Sequence, residues 1–204
     1  MKAPFDFVIK PKGNRYNNTT NVGTSELILN TEVYNHQFVN RQAIVKSVPT
    51  AFETEIQPNN EVIVHHNIFR RWHDVRGKER NSKSFFNETT YFVKEDQVFL
   101  YKRNNEEWKA PKGYCFVQPI KDRVYLGIDK EEACIGIVKH TDGSYKKEDL
   151  VGFTPFSTYE FVIEGERLYR VMTKFITIKY EYQGNEEEYN PSWAQGSRGI
   201  NKSS

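Results

Sequence analysis

Arg70, Arg71, Arg76, Lys78, Arg80 and Lys83 surround Trp72 and Phe85, a mixture of cations and rings that can hold phosphates and stack bases. Asp74 and Glu79 interrupt it, and the plainer reading is a solvated hairpin or loop. His65, His66 and His73 with Asp74 are residue types that ligate metals. Adjacent residues of a strand point to opposite faces, however, so His65 and His66 cannot share one ion without a bulge. Cys115 and His140 have the types of a thiol nucleophile and its base, but no neighbouring residue activates the thiol or orients the imidazole. Asp142-Gly143 and Glu164-Gly165 suit hairpin turns, and no Gly-x-x-x-x-Gly-Lys-Ser/Thr segment is present to cradle a nucleotide. The reading therefore assigns no catalytic residue, no metal and no cofactor, and expects a chain that is not an enzyme. What stands out instead is Leu27-Ile28-Leu29, an aliphatic island in a stretch of Asn, Thr and Ser.

The elements that must carry these residues read as strands. The chain has 204 residues, 37% hydrophobic and 27% charged, with 14 Phe and 12 Tyr, far from the profile of a disordered chain. Runs such as Glu61-Val62-Ile63-Val64 and Phe175-Ile176-Thr177-Ile178 suit a pleated, half-buried surface, so the fold class is all-β. A net charge of +2 does not make nucleic acid or an anionic membrane the default partner. Cys115 and Cys134 are the only cysteines and read as core thiols rather than a disulfide framework. Met1 to Lys10 lacks an apolar signal core and no segment approaches a membrane span. A cytoplasmic protein with no membrane partner is the expectation.

Along the chain, Phe5 to Lys10 is a strand ended by Pro11 and Gly13, and 13–41 is a long surface loop carrying the aliphatic trio. Strands follow around Ala43-Ile44-Val45, Glu61 to His65, Thr90 to Val93 and Gln97 to Tyr101, and a polar hinge runs from Lys102 to Gly113. The same order of signals then recurs. Phe7-Val8-Ile9-Lys10-Pro11 corresponds to Phe116-Val117-Gln118-Pro119, and Ala43-Ile44-Val45-Lys46 to Gly136-Ile137-Val138-Lys139. Pro58 to Val64 corresponds to Lys147 to Phe153, and Tyr91-Phe92-Val93 to Tyr169-Arg170-Val171. Such a duplication expects a first domain over 1–103, a second, loop-less one over 113–182, and a flexible tail over 183–204 in which Tyr189 and Trp193 are candidate anchors.

The order within the first repeat resembles the GroES-type co-chaperonins: an opening strand, a long loop with an aliphatic tripeptide, a strand ending in a turn, a polar turn before an apolar strand, and a closing segment. The similarity covers about the first hundred residues, and the second repeat echoes it without the loop. It looks closest to divergent, phage-encoded members. The resemblance implies two tandem small β-barrels, a homo-oligomeric ring, and a GroEL-type chaperonin as partner, with clients met through it. It implies that Leu27, Ile28 and Leu29 dock into a groove of the chaperonin, which hydrolyses the ATP. Two departures stand out: Pro49 to Gln57 is short where the family has a roof hairpin, and Arg70 to Lys83 is longer and more charged. The competing classes are a phage virion or assembly protein built on the same barrel, and a nucleic-acid-binding β-barrel protein using Arg70, Arg71, Arg76, Lys78 and Arg80.

Overall fold

In a computed structural model of the chain, the short β-branched and aromatic runs become strands, and helix is confined to single turns. The structure describes residues 1–16, 19–22, 25–28, 39–122, 130–181, 184 and 186–195, with 19–22 and 25–28 described by their backbone. The chain divides into unit 1, Met1–Trp108, and unit 2, Lys109–Ser204. Among the described residues no helix is long and apolar enough to cross a membrane.

Unit 1 contains β1 (Phe7–Pro11), β2 (Thr19–Val22), β3 (Ser25–Ile28), β4 (Gln42–Ser47), β5 (Glu61–Val64), β6 (Arg71–His73), β7 (Glu79–Asn81), β8 (Phe85–Asn87), β9 (Thr90–Val93) and β10 (Val98–Lys102). Six of these make one sheet in the order β10-β5-β4-β1-β9-β8, while β2-β3 and β6-β7 are separate two-stranded sheets. Phe7, Ile9, Val45, Val62, Val64, Phe69, Tyr91 and Val93 fill its core, each large side chain contributing about 1.5–3 kcal/mol of burial.

Unit 2 contains β11 (Tyr114–Lys121), β12 (Glu131–Thr141), β13 (Leu150–Phe153), β14 (Thr158–Ile163), β15 (Glu166–Met172) and β16 (Ile176–Tyr180). Its sheet runs β14-β15-β11-β12-β13-β16, the same topology as unit 1 strand for strand. Registers agree too. Pro11 faces Ala43 and Ile9 faces Val45 in unit 1, as Pro119 faces Gly136 and Val117 faces Val138 in unit 2. Ala43 then faces Val62 as Gly136 faces Val151, and Ile9 faces Tyr91 as Val117 faces Tyr169. The four correspondences read from the sequence fall on these ladder positions. Both first strands also carry a bulge at the same place, between Val8 and Ile9 and between Phe116 and Val117.

The turn before the third sheet strand is likewise shared. Asn59 and Glu148 both take the left-handed conformation, at φ 70°. The Asn60 side chain accepts from the Gln57 N–H at 2.8 Å, and the Asp149 carboxylate from the Lys146 N–H at 2.9 Å. The repeats differ at one packing point. A Cβ built on Gly136 would lie 2.4 Å from the Gln118 carbonyl oxygen and 2.6 Å from Val117 Cγ1, whereas its counterpart Ala43 carries its methyl fully buried.

Barrel closure, which the family resemblance implies, is not found: among the described residues the first sheet ends at β10 and β8 and the second at β14 and β16, with no ladder joining the ends. The expected tail also meets the fold. The Glu187 carbonyl accepts from the Lys121 N–H, the Tyr189 N–H donates to the Pro119 carbonyl, and α1 (Ser192–Gln195) buries Ala194. Residues 187–189 thus lie along the end of β11 and α1 packs against β15, while 196–204 fall outside the described residues.

Candidate partner-binding site

Unit 1 differs from unit 2 by two insertions. Between β1 and β4 the chain makes the excursion that holds β2 and β3, where unit 2 has only 122–130 between β11 and β12. Between β5 and β8 it inserts 65–84, where unit 2 turns through 154–157. Neither insertion is needed to make the sheet, so both are places to look for function.

The first insertion leaves the sheet through a built root. Tyr16 and Val39 form an antiparallel bridge, and both are buried. Asn40, 3% exposed, donates from Nδ2 to the carbonyls of Lys12 and Asn14 at 2.9 and 2.8 Å, and its Oδ1 accepts from the Gln42 N–H at 2.8 Å. Beyond this root, β2 and β3 pair with each other, Thr20 opposite Leu27 and Thr19 opposite Ile28. Leu27 and Ile28 therefore sit on a two-stranded hairpin apart from the six-stranded sheet. Leu29 lies outside the described residues, as do the side chains of Leu27 and Ile28.

The second insertion is fastened to the same root. The Arg71 N–H donates to the Tyr16 hydroxyl at 2.7 Å, and the Arg71 guanidinium lies 5.0 Å from the centre of the Tyr16 ring. Arg15, next to Tyr16, donates from Nε and Nη2 to the Phe69 carbonyl at 3.3 and 3.1 Å. Its guanidinium stands 5.2 Å above Phe85 and 5.6 Å above Tyr91, with Glu88 at 3.6 Å. Burial pushes the Tyr91 phenol up to about 12, against the pull of the Arg15 charge, so this hydroxyl is neutral at physiological pH.

The basic run becomes the β6–β7 hairpin, Trp72 facing Arg80 and His73 facing Glu79. Asp74 organises its tip: the carboxylate accepts from the N–H groups of Arg76 and Lys78 at 2.9 and 3.0 Å, and from Arg80 Nε at 3.0 Å. The Lys78 N–H leads in holding this carboxyl below its usual range, with Arg76 and Arg80 assisting against the opposing effect of desolvation. Arg71 pairs with Glu79 at 3.2 Å. Of the five cations singled out for nucleic acid, Arg71 and Arg80 are thus tied to carboxylates, Arg70 is half-buried at the hairpin's foot, and Arg76 and Lys78 are exposed.

The other candidates disperse. His65 and His66 stack at 4.3 Å between ring centres, and His65 Nδ1 accepts from the Asn67 N–H. With Asp74 engaged as above, the imidazoles and the carboxylate do not form a ligand set, and no metal-binding cluster occurs among the described residues. Cys115 is fully buried opposite Thr141, while His140 faces Phe116. Burial, with Asp142 adding to it, pushes this thiol up to about 12, which leaves almost no thiolate to attack anything.

Sequence reasoning missed Arg15 and Tyr16, whose partners Phe69 and Arg71 lie 54 and 55 positions on, and Asn40, whose carbonyl partners Lys12 and Asn14 lie 28 and 26 positions back. It also missed a network around a buried arginine in unit 2. Arg167, 8% exposed, binds Glu131, Glu160 at 3.1 Å and the Tyr169 hydroxyl. The rings of Tyr189 and Trp193 each lie 5.9 Å from its guanidinium. Glu160 and Glu131 outweigh desolvation to hold this guanidinium charged.

No protein-family model matches the chain, and no curated protein or solved structure is similar to it.

Proposed function

We propose that the chain is a binding module of the co-chaperonin kind: a homo-oligomeric cap that docks on a GroEL-type chaperonin through Leu27-Ile28-Leu29 and has no catalytic role of its own. Unit 1 is then a GroES-like domain with the docking loop, and unit 2 its loop-less duplicate. The observation that carries this reading is the first insertion. It departs from a clamped root of buried Tyr16, Val39 and Asn40, and places its aliphatic residues on a hairpin outside the core sheet. A clamped root followed by an aliphatic segment that is no part of the core sheet suits docking in trans.

The energetics fit repeated weak contacts. Burying each aliphatic side chain against a partner gains about 1.5–3 kcal/mol, while ordering the segment costs about 1–2 kcal/mol per residue. The surplus per chain is small, and multiplication around an oligomer turns it into avidity. Ile28→Asp tests this. The variant keeps the wild-type circular dichroism spectrum and melting transition but no longer co-elutes with a bacterial double-ring chaperonin in the presence of ATP. A variant that unfolds would place the trio in the core, and one that still co-elutes would remove it from the contact.

A further inference from the structure

We infer that the tip of the β6–β7 hairpin is a second docking element, and that it recognises an acidic protein surface bearing a shallow apolar recess beside the place where the aliphatic trio binds. The inference rests on the co-chaperonin reading for the identity of the partner, and on the hairpin's own geometry for its chemistry.

Three observations carry it. The first is that the hairpin is additional to the sheet: unit 2 builds the same six strands with only residues 154–157 at this position. Residues before it supply Ile68 and Phe69 to the core, but the β6–β7 hairpin itself adds no residue to that core, which leaves it open to a use other than folding.

The second is its charge. Both carboxylates of the hairpin are engaged within it, Asp74 by Arg80 and the tip N–H groups, Glu79 by Arg71. What the tip presents to solvent is Arg76 and Lys78, with Val75 fully exposed between Asp74 and Arg76 and the Trp72 ring 45% exposed on β6. An aliphatic and an aromatic group rimmed by two cations complement a partner with apolar and acidic groups in the same arrangement. A nucleic-acid backbone fits less well. A fully exposed Val75 beside Arg76 offers a phosphate nothing, and one exposed Trp on the hairpin offers no series of stacking platforms.

The third is position. The hairpin and the trio-bearing excursion share one root, through the hydrogen bond from Arg71 N–H to the Tyr16 hydroxyl and the bonds from Arg15 to Phe69. A partner gripped by the first insertion is thereby brought to the second, and the two contacts act as linked sites with a high effective concentration. The root anchors both insertions to the same part of unit 1, so engagement of one raises the local concentration of partner at the other.

The test is a charge reversal at the exposed tip, Arg76→Glu with Lys78→Glu, which leaves Asp74, Arg80 and every buried contact in place. Binding of the full chain to a bacterial double-ring chaperonin with ATP is measured across a salt series for the wild type, this double variant and Ile28→Asp. The double variant is expected to bind roughly tenfold more weakly at low salt, with a shallower salt dependence than the wild type. Unchanged affinity in the double variant, with binding abolished by Ile28→Asp, overturns the hairpin inference and leaves the loop reading standing. Absence of wild-type binding removes the chaperonin for both. A wild-type chain that ignores chaperonin but binds a single-stranded oligonucleotide, with affinity lost on the double reversal, overturns the inference in favour of a nucleic-acid ligand. Val75→Asp, which keeps both cations, separates the apolar contribution: it too is expected to weaken chaperonin binding, and an unchanged affinity would refute the apolar half of the contact.

Discussion

Replacing Asn40 should loosen the root from which the first insertion departs. Its amide makes three hydrogen bonds within 2.9 Å, two as donor to the carbonyls of Lys12 and Asn14 and one as acceptor from Gln42 N–H. In Asn40→Ala all are lost, and two carbonyls and an N–H are left in a buried site. At about 0.5–1.5 kcal/mol for each net hydrogen bond, and more where the orphaned partner stays buried, the loss is about 2–4 kcal/mol. For a unit of this size that lowers the melting temperature by roughly 10–25 °C.

Asn40→Asp is the sharper test of the same point. It keeps the size and the acceptor for Gln42, but sets carboxylate oxygens against the carbonyls of Lys12 and Asn14. Burial and these carbonyls raise the folded-state pKa of the new carboxyl, so the folded state binds more protons than the unfolded one. The defect is therefore smallest below the ordinary carboxylate range and grows as pH rises through it. Urea unfolding of the full chain, followed by tryptophan fluorescence over a pH series, measures both variants. A loss under about 0.5 kcal/mol in Asn40→Ala, with Asn40→Asp no worse at neutral pH, would refute the hub assignment.

Other outcomes are expected from the same contacts. Gly136→Ala forces a methyl toward the Gln118 carbonyl and Val117, and should destabilise unit 2 by about 1–3 kcal/mol in thermal unfolding, while Ala43→Gly at the equivalent site of unit 1 has no clash to create. Arg167→Met removes the counter-charge of Glu131 and Glu160, whose side chains are 29% and 43% exposed, and should cost about 1–2 kcal/mol, with the Trp193 emission shifting as residues 186–195 loosen. Asp74 has a depressed pKa, so its tip bonds persist above the usual carboxylate range and are lost as pH falls through the lowered value; the amide resonances of Arg76 and Lys78 should titrate together there. A thiol reagent at neutral pH should leave Cys115 unmodified in the native chain and reach it on unfolding.

The repeat correspondences were legible because each half writes the same run of apolar residues, Ile9-Val45-Tyr91 against Val117-Val138-Tyr169, onto matching ladder positions; the order of strands within the sheets was not read. Long-range polar contacts left no such trace. Nothing local to Tyr16 marks it as the acceptor for Arg71, 55 positions on, and the basic run hides its own neutralisation until the β6–β7 register brings Arg71 to Glu79. Glu187 and Glu188 fall in the segment expected to be a flexible tail, yet the sheet supplies Lys121 to Glu187 and Lys139 to Glu188. Barrel closure was the expectation that open ladders did not meet, because closure depends on how sheet ends approach, which strand patterning does not encode.

Backbone hydrogen exchange of the full chain, with and without a bacterial double-ring chaperonin and ATP, tests docking most directly. Protection beyond that given by their own hairpin hydrogen bonds should appear in 19–28 and at 74–78 only when chaperonin and ATP are both present, with β1 and β4 unchanged. Exchange that stays the same in both segments under every condition would contradict the proposal that unit 1's insertions hold a chaperonin.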